Sequence, residues 1–327
     1  MKITPRMKDD LPVQTQFQLG RRALFLVTAL AVLGGFARLA PRALALTQSG
    51  SAPLKMIVTA ESLHGGTPPS VPQNDVLLFM NGRHIPVLAW RPLSAAHTRR
   101  QLYLVLDEEL PNTIGMQFSE LKRFIRELPA ETAVGIAYMR NGGIQIAHPP
   151  STDHAAVASS LRLPLKTGFA GSPYESISEL IKRWPATRAP REMVMISSGV
   201  DELWLNGGTN PYTTRAIQNA QRAGIIIYSI YWAGVGHLSH TFWYTSWAMD
   251  YLSELSAQTG GDSFAFGPQS NPVSIQSYLR KVNQHLAHQY LLSFQPPVGT
   301  KSGYQPVQVH SELSNVDLVS ATNVYVP

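Results

Sequence analysis

The sequence predicts an α/β fold: a doubly wound, mostly parallel sheet with a small accessory β element from an N-terminal hairpin and a C-terminal tail. Three observations predict it. Gln101-Leu-Tyr-Leu-Val-Leu-Asp107 is an apolar run of strand length that leads into three carboxylates, Asp107, Glu108 and Glu109. Met116, Phe118, Leu121, Ile125 and Leu128 then recur with helical spacing until Pro129 stops the pattern. From there strand-like and helical stretches alternate to residue 288, which is the signature of a sheet covered on both faces.

The elements follow in order. Residues 46–72 are rich in Ser, Pro, Gly and Thr and read as a linker. Residues 73–98 read as an accessory hairpin, because Asn81-Gly82 separates Val76–Met80 from His84–Leu88 and Asn-Gly suits a two-residue turn. Residues 99–288 form the α/β body. Its later strands are Ala133–Met139, the short edge strand Ile144–Ala147, Met193–Ser198, Ile225–Ile230 and Ser263–Phe266. Its later helices are Asp153–Leu161, a stripe from Tyr174 to Trp184 ended by Pro185, Thr213–Ala223 closed by Gly224, Tyr251–Gln258, and a last one carrying Ile275, Leu279, Val282 and Leu286. His285 and His288 complete the surface of that last helix. In residues 289–327 three strands follow without helices between them: Tyr290–Phe294, Gln305–Val309 and Val316–Val319. They are expected to pair with the hairpin.

The formal charge is +6, and residues 1–45 hold five of those six net positive charges, leaving +1 for the rest. A phosphate-binding surface needs basic residues on the folded body itself, so a nucleic-acid partner is not expected. Ala23 to Ala37 is uncharged and apolar, between Arg21-Arg22 and Arg38, and is shorter than the roughly 20 residues of a membrane span. With Ala43-Leu44-Ala45 it reads as a signal peptide over residues 1–45, exporting the chain by a Sec or a twin-arginine route to the periplasm or beyond. Membrane attachment would need an uncleaved signal segment. The chain has no cysteine, which excludes disulfides, thiolate metal sites and a cysteine nucleophile.

From Leu102–Asp107 through Met193-Val-Met-Ile-Ser-Ser-Gly199-Val-Asp201 to Tyr290–Phe294, the order resembles a von Willebrand factor type A domain. More narrowly it is similar to the secreted A-domain-related proteins of acidobacteria, over roughly residues 73–320. The resemblance implies a binding fold with a metal site, usually for magnesium, at the C-terminal edge of the sheet. Its pattern is Asp-x-Ser-x-Ser, then a Thr and an Asp from two further loops. Asp107 matches the first acid, Glu109 stands at the first Ser and Pro111 at the second. Ser172 falls in the threonine loop and Ser198 stands at the last Asp, with Asp201 close by. The motif is therefore degenerate, and only weak Mg2+ binding is expected.

Other readings of the same residues stand beside these. Asp107 also reads as a polar cap that hydrogen-bonds loop amides, and Ser172-Pro-Tyr-Glu175 has the form of a helix capping box. His237 and His240 read as solvated loop histidines. Trp232, Phe242, Trp243, Tyr244 and Trp247 cluster between a strand and the next helix, and either bind a partner or fold inward as a small core. Trp204 and Tyr212 would extend either arrangement. The functional expectation is a secreted, non-catalytic binding or adhesion module whose ligand is a protein or a cell-wall polymer. An envelope scaffold is the alternative, and a secreted hydrolase a weaker one. No Gly-x-Ser-x-Gly, His-Glu-x-x-His or phosphate loop occurs in the sequence.

Overall fold

The computed structural model describes residues 52–93, 98–165, 171–235, 238 and 241–327. Residues 1–45, read from the sequence as a signal peptide, and His237 and His240 lie outside the described residues. Four strands come first: β1 (Leu54–Ser62), β2 (Val76–Met80), β3 (Arg83–Ile85) and β4 (Val87–Pro92). β2 and β3 form the expected hairpin, with both turn residues at positive φ, Asn81 at 52° and Gly82 at 73°. The second arm does not continue. Pro86, without a backbone N–H, separates β3 from β4, and β4 pairs in a different sheet.

The α/β body contains β5 (Arg100–Asp107), α1 (Phe118–Glu127), β6 (Thr132–Arg140), β7 (Gly143–Ser151), α2 (His154–Ser159), α3 (Pro173–Arg183), β8 (Arg191–Ser197), α4 (Pro211–Ala223), β9 (Ile225–Tyr231), α5 (Phe242–Thr259), β10 (Ser263–Phe264) and α6 (Gln276–Ala287). The strands lie in the order β10-β9-β8-β5-β6-β7, all parallel except β7, which runs antiparallel on the edge. Strand alternation explains the two covered faces. Leu102, Leu104 and Leu106 point to a core shared with α1, α2 and α6. Tyr103 and Val105 point to a second core shared with α3, α4 and α5. Each fully buried leucine contributes about 1.5–3 kcal/mol. The fold class read from the sequence is the one observed.

The tail supplies β11 (Gln289–Phe294), β12 (Gly303–Ser311), β13 (Val316–Ser320) and β14 (Asn323–Val326). With the first four strands they make two four-stranded sheets, β13-β1-β11-β4 and β14-β12-β2-β3. Val58 and Leu292 from one sheet share a core with Leu78 and Val309 from the other. The accessory element is thus an eight-stranded sandwich, and the α/β body is inserted between its fourth and fifth strands.

Several expectations are corrected. Residues 46–72 are not all linker: Leu54–Ser62 is a nine-residue strand at the centre of its sheet. Its Met56, Val58 and Ala60 face the sandwich core, while Ile57 packs against the α/β core. Both faces are covered, so the polar-out alternation of an ordinary strand is blurred. β13 pairs with this strand rather than with the hairpin. Met116 is exposed, because a 3-10 turn over Asn112–Gln117 precedes α1. α5 begins nine residues earlier than expected, at Phe242. Its first buried positions are Thr245 and Ala248, with aromatics outside, so its sequence lacks a helical apolar period. His285 is buried rather than on the helix surface, with Nε2 3.0 Å from Glu61.

Candidate functional site

Numbered along the chain, the strands of the parallel sheet run 3-2-1-4-5-6, so their order reverses between β5 and β8. Open α/β sheets carry their crevice outside the carboxyl ends of the strands at such a reversal. A cleft lies there, lined by Asp107, Glu109, Ser172 and Ser198, the four residues carried over from the resemblance. Three different connections position them. Asp107 is the last residue of β5, Glu109 lies two residues beyond it, Ser198 follows β8, and Ser172 is the N-cap of α3.

The geometry spends most of their polar atoms internally. Asp107 is buried; one carboxylate oxygen accepts from Ser197 Oγ at 2.7 Å and the other from the Glu109 backbone N–H at 3.1 Å. Burial pushes its pKa from 3.8 up to about 6, with the two hydrogen bonds opposing the rise. Burial also raises the Glu109 carboxyl, helped by the charges of Glu202 and Glu108. Ser172 Oγ donates to Asp201 at 2.9 Å and accepts from the Glu175 N–H, so the N-cap half of the capping box is realised, while the Glu175 carboxylate pairs with Arg215 instead. Asp201 also accepts from Asn210 Nδ2 at 2.8 Å, and Asn210 caps α4. One buried carboxylate therefore ties the starts of two helices together.

The remaining carboxylate of the acidic strand end faces away from this work. Glu108 is fully buried, and its oxygens accept from the Arg162 guanidinium and the Leu165 N–H. That guanidinium lies 3.8 Å above the Tyr138 ring. Gly199 shapes the β8 turn: it sits at φ +67°, and a Cβ there would come within 2.7 Å of Leu252. Sequence reasoning missed Ser197, which holds Asp107, and the Asn141-Gly142 turn, which forms part of the cleft wall. The turn was visible, but nothing in it announces that it borders the same cleft as the ends of β5 and β8.

A hard magnesium site needs about six oxygens in near-octahedral array. Pro111 offers none from its side chain, Ser172 is committed to Asp201 and its helix cap, and both Asp107 oxygens already accept hydrogen bonds. Among the described residues no group of three or more His, Cys, Asp or Glu side chains is arranged to hold a metal. The donor set does not fit a full adhesion-type metal site.

The aromatic cluster divides. Trp232 is buried in the core beside α6 and is withdrawn as a contact residue. Trp247 lies over Gly207, so closely that a Cβ there would come within 2.6 Å of the ring, and Tyr244 meets it edge-on at 5.6 Å. Trp204, Tyr212 and Trp247 pack against the other core, the one shared with α3, α4 and α5. Phe242 and Trp243 are 57% and 64% exposed on the first turn of α5. Val235, on the segment leading to that helix, lines the cleft.

The chain is similar to solved structures that include A-type domains. The vWF domain of the type V pili tip protein Mfa5 from Porphyromonas gingivalis is 10% identical, covering 57% of this chain and 95% of that one, with a TM-score of 0.40. An aerotolerance-related membrane protein from Bacteroides fragilis is 13% identical over 57% of this chain and 98% of that one, TM-score 0.37. The TRAP protein of Plasmodium vivax, solved manganese-loaded, is 11% identical over 73% and 98%, TM-score 0.38. No protein-family model and no curated protein matches the sequence. Likeness at this level says nothing of ligand or activity.

Proposed function

We propose that the chain is a non-catalytic binding module of A-domain type, exported, whose cleft at the β5/β8 strand ends contacts a protein or a cell-wall polymer. The observation that carries this reading is the convergence of Asp107, Glu109, Ser172 and Ser198 on one cleft at the reversal of strand order. A buried carboxylate with its pKa raised to about 6 is costly, and such groups gather at functional sites. Around the cleft, Ser197 is fully buried and donates to Asp107, and Ser172 Oγ is held between Asp201 and the start of α3. Phe242 and Trp243, exposed on the first turn of α5, offer apolar surface of the kind that anchors contacts. Among the described residues no helix is long and apolar enough to cross a membrane.

The test is capture from an envelope extract by the immobilised protein and by Glu109→Lys. Glu109 is half-buried in the cleft wall, so charge reversal there should abolish capture with little change in melting temperature. Equal capture by both proteins would move the binding site elsewhere. Turnover of any member of a hydrolase substrate panel, lost in Glu109→Lys, would replace the reading with an enzyme. N-terminal sequencing of exported protein should begin at Leu46.

A further inference from the structure

We propose that the groove between the sandwich and the N-terminal edge of the parallel sheet is a second binding site, and that it takes an extended acidic peptide segment bearing apolar side chains. The groove encloses about 750 Å³ where β1 and β11 meet the starts of β5, β8 and β9. Four cations line it, Lys55, Arg99, Arg188 and Arg191, and among the described residues no carboxylate does. The body as a whole carries only +1, so this concentration of one sign is local. The cleft at the opposite edge of the sheet has the reverse balance, with Asp107, Glu109 and Glu202 against Arg140.

Arg191 is the buried cation among the four. Its guanidinium is buried and donates only to backbone carbonyls, those of Trp184, Pro185 and Ala223. Burial lowers its pKa, and among the described residues its hydrogen-bond partners are carbonyl oxygens rather than carboxylates. Lys55 and Arg188 are exposed at the rim, and Arg99 reaches only an exposed Glu131 at 3.6 Å. A positive wall of this kind attracts and orients an anionic partner.

The apolar lining selects among anionic partners. Leu93, Ile57, Leu291 and Pro190 line the groove with the cations. A bare polyanion gains nothing from them, whereas a peptide with acidic and apolar side chains satisfies both surfaces. The chain's own leader is a poor occupant, since residues 1–45 carry five net positive charges.

A fluorescein-labelled peptide of alternating glutamate and leucine, titrated with the full chain and followed by anisotropy, tests the proposal. Binding is expected, weakening as salt rises. Lys55→Glu with Arg188→Glu should weaken it at least about tenfold, since like charges are then set against the peptide. Lys55→Gln with Arg188→Gln provides a milder pair if the reversed one does not melt cooperatively, and it should weaken binding severalfold. Glu109→Lys in the opposite cleft should leave the affinity unchanged, which separates failure here from failure of the cleft reading. The proposal is overturned by no binding, by equal binding of a lysine–leucine peptide or of inorganic polyphosphate, or by affinity indifferent to the rim substitutions. Sedimentation showing copies that pair through this groove, and separate in the double variant, would overturn it in favour of self-association.

Discussion

Ser172 Oγ donates to the Asp201 carboxylate at 2.9 Å, across 29 residues of sequence, and in the same position caps α3. The hydroxyl that an A-domain metal site would use is thereby committed to joining two loops. Magnesium affinity should be millimolar at best, in the range of the loosest oxygen-ligand sites. Calorimetry checks this, and micromolar binding that disappears in Asp107→Ala would show that the loops rearrange around a metal. Asp201→Ala should cost about 1–3 kcal/mol, because it leaves Ser172 and Asn210 without their shared acceptor.

Asp107 should make stability fall with pH. Its folded pKa, about 6, lies above the ordinary 3.8, so between those values the folded chain holds a proton that the unfolded chain has released. Stability from this group is therefore lost as pH climbs from about 4 to about 6, and the penalty persists above. Asp107→Asn, which still accepts from Ser197, should be more stable by about 1–3 kcal/mol at neutral pH and nearly equal to the parent near pH 4. Denaturant titrations in metal-free buffer at the two pH values measure it. A variant less stable at both would mean that the carboxylate supports the fold.

The parallel sheet was legible because each of its strands is a short apolar run bounded by turn residues, and its helices carry clean apolar stripes. The site was legible only in part. Asp107, Glu109, Ser172 and Ser198 share a cleft because strand order reverses between β5 and β8, a relation that sequence spacing does not encode. β1 was hidden because both of its faces are covered, leaving Thr59 and Glu61 on the side toward α6. The first half of α5 was hidden because its outer positions are aromatic and its buried ones, Thr245 and Ala248, are small. Glu108 could not be separated from its neighbours by sequence, although alternation sends it to the other side of the strand end, toward Arg162.

The seam between sandwich and α/β body should be acid-sensitive. Glu61 on β1 lies 3.0 Å from His285 and 2.9 Å from Lys281, both on α6. The His285 contact, with that of Lys281, lowers the Glu61 pKa from 4.5 to about 2. Its contribution is complete above pH 4.5 and is lost as pH falls toward 2. Glu61→Gln should cost about 1–3 kcal/mol at neutral pH and flatten the acid limb of the stability profile below pH 4.5. An unchanged acid limb would place the acid sensitivity elsewhere.

Trp184 closes α3 against the sheet. It is 4% exposed, meets Tyr103 edge-on at 4.7 Å and donates from Nε1 to Gln101 at 2.7 Å. Trp184→Ala should destabilise by about 3–5 kcal/mol, the cost of a large ring removed from a packed core. Trp184→Phe keeps most of the packing and loses the hydrogen bond, so it should cost clearly less. Equal midpoints for parent and Trp184→Ala would contradict the packing of α3.

Trp243 and Trp247 stand four residues apart on α5 and should fail in opposite ways. Four residues along a helix is about one turn, yet Trp247 turns inward over Gly207 while Trp243 keeps 64% of its surface exposed. Removing Trp247 opens a space beside the loop that follows Asp201, so Trp247→Ala should lower the melting temperature by several degrees, in line with about 2–4 kcal/mol. Removing Trp243 leaves nothing unfilled, so Trp243→Ala should melt like the parent. If the exposed turn flanks the contact surface, the same Trp243 variant should lose partner capture by tenfold or more, as anchoring aromatics do. Thermal melts run beside capture assays on both variants separate the two roles. Normal capture by Trp243→Ala would remove the aromatic turn from the contact surface, and leave the acidic cleft to carry it alone.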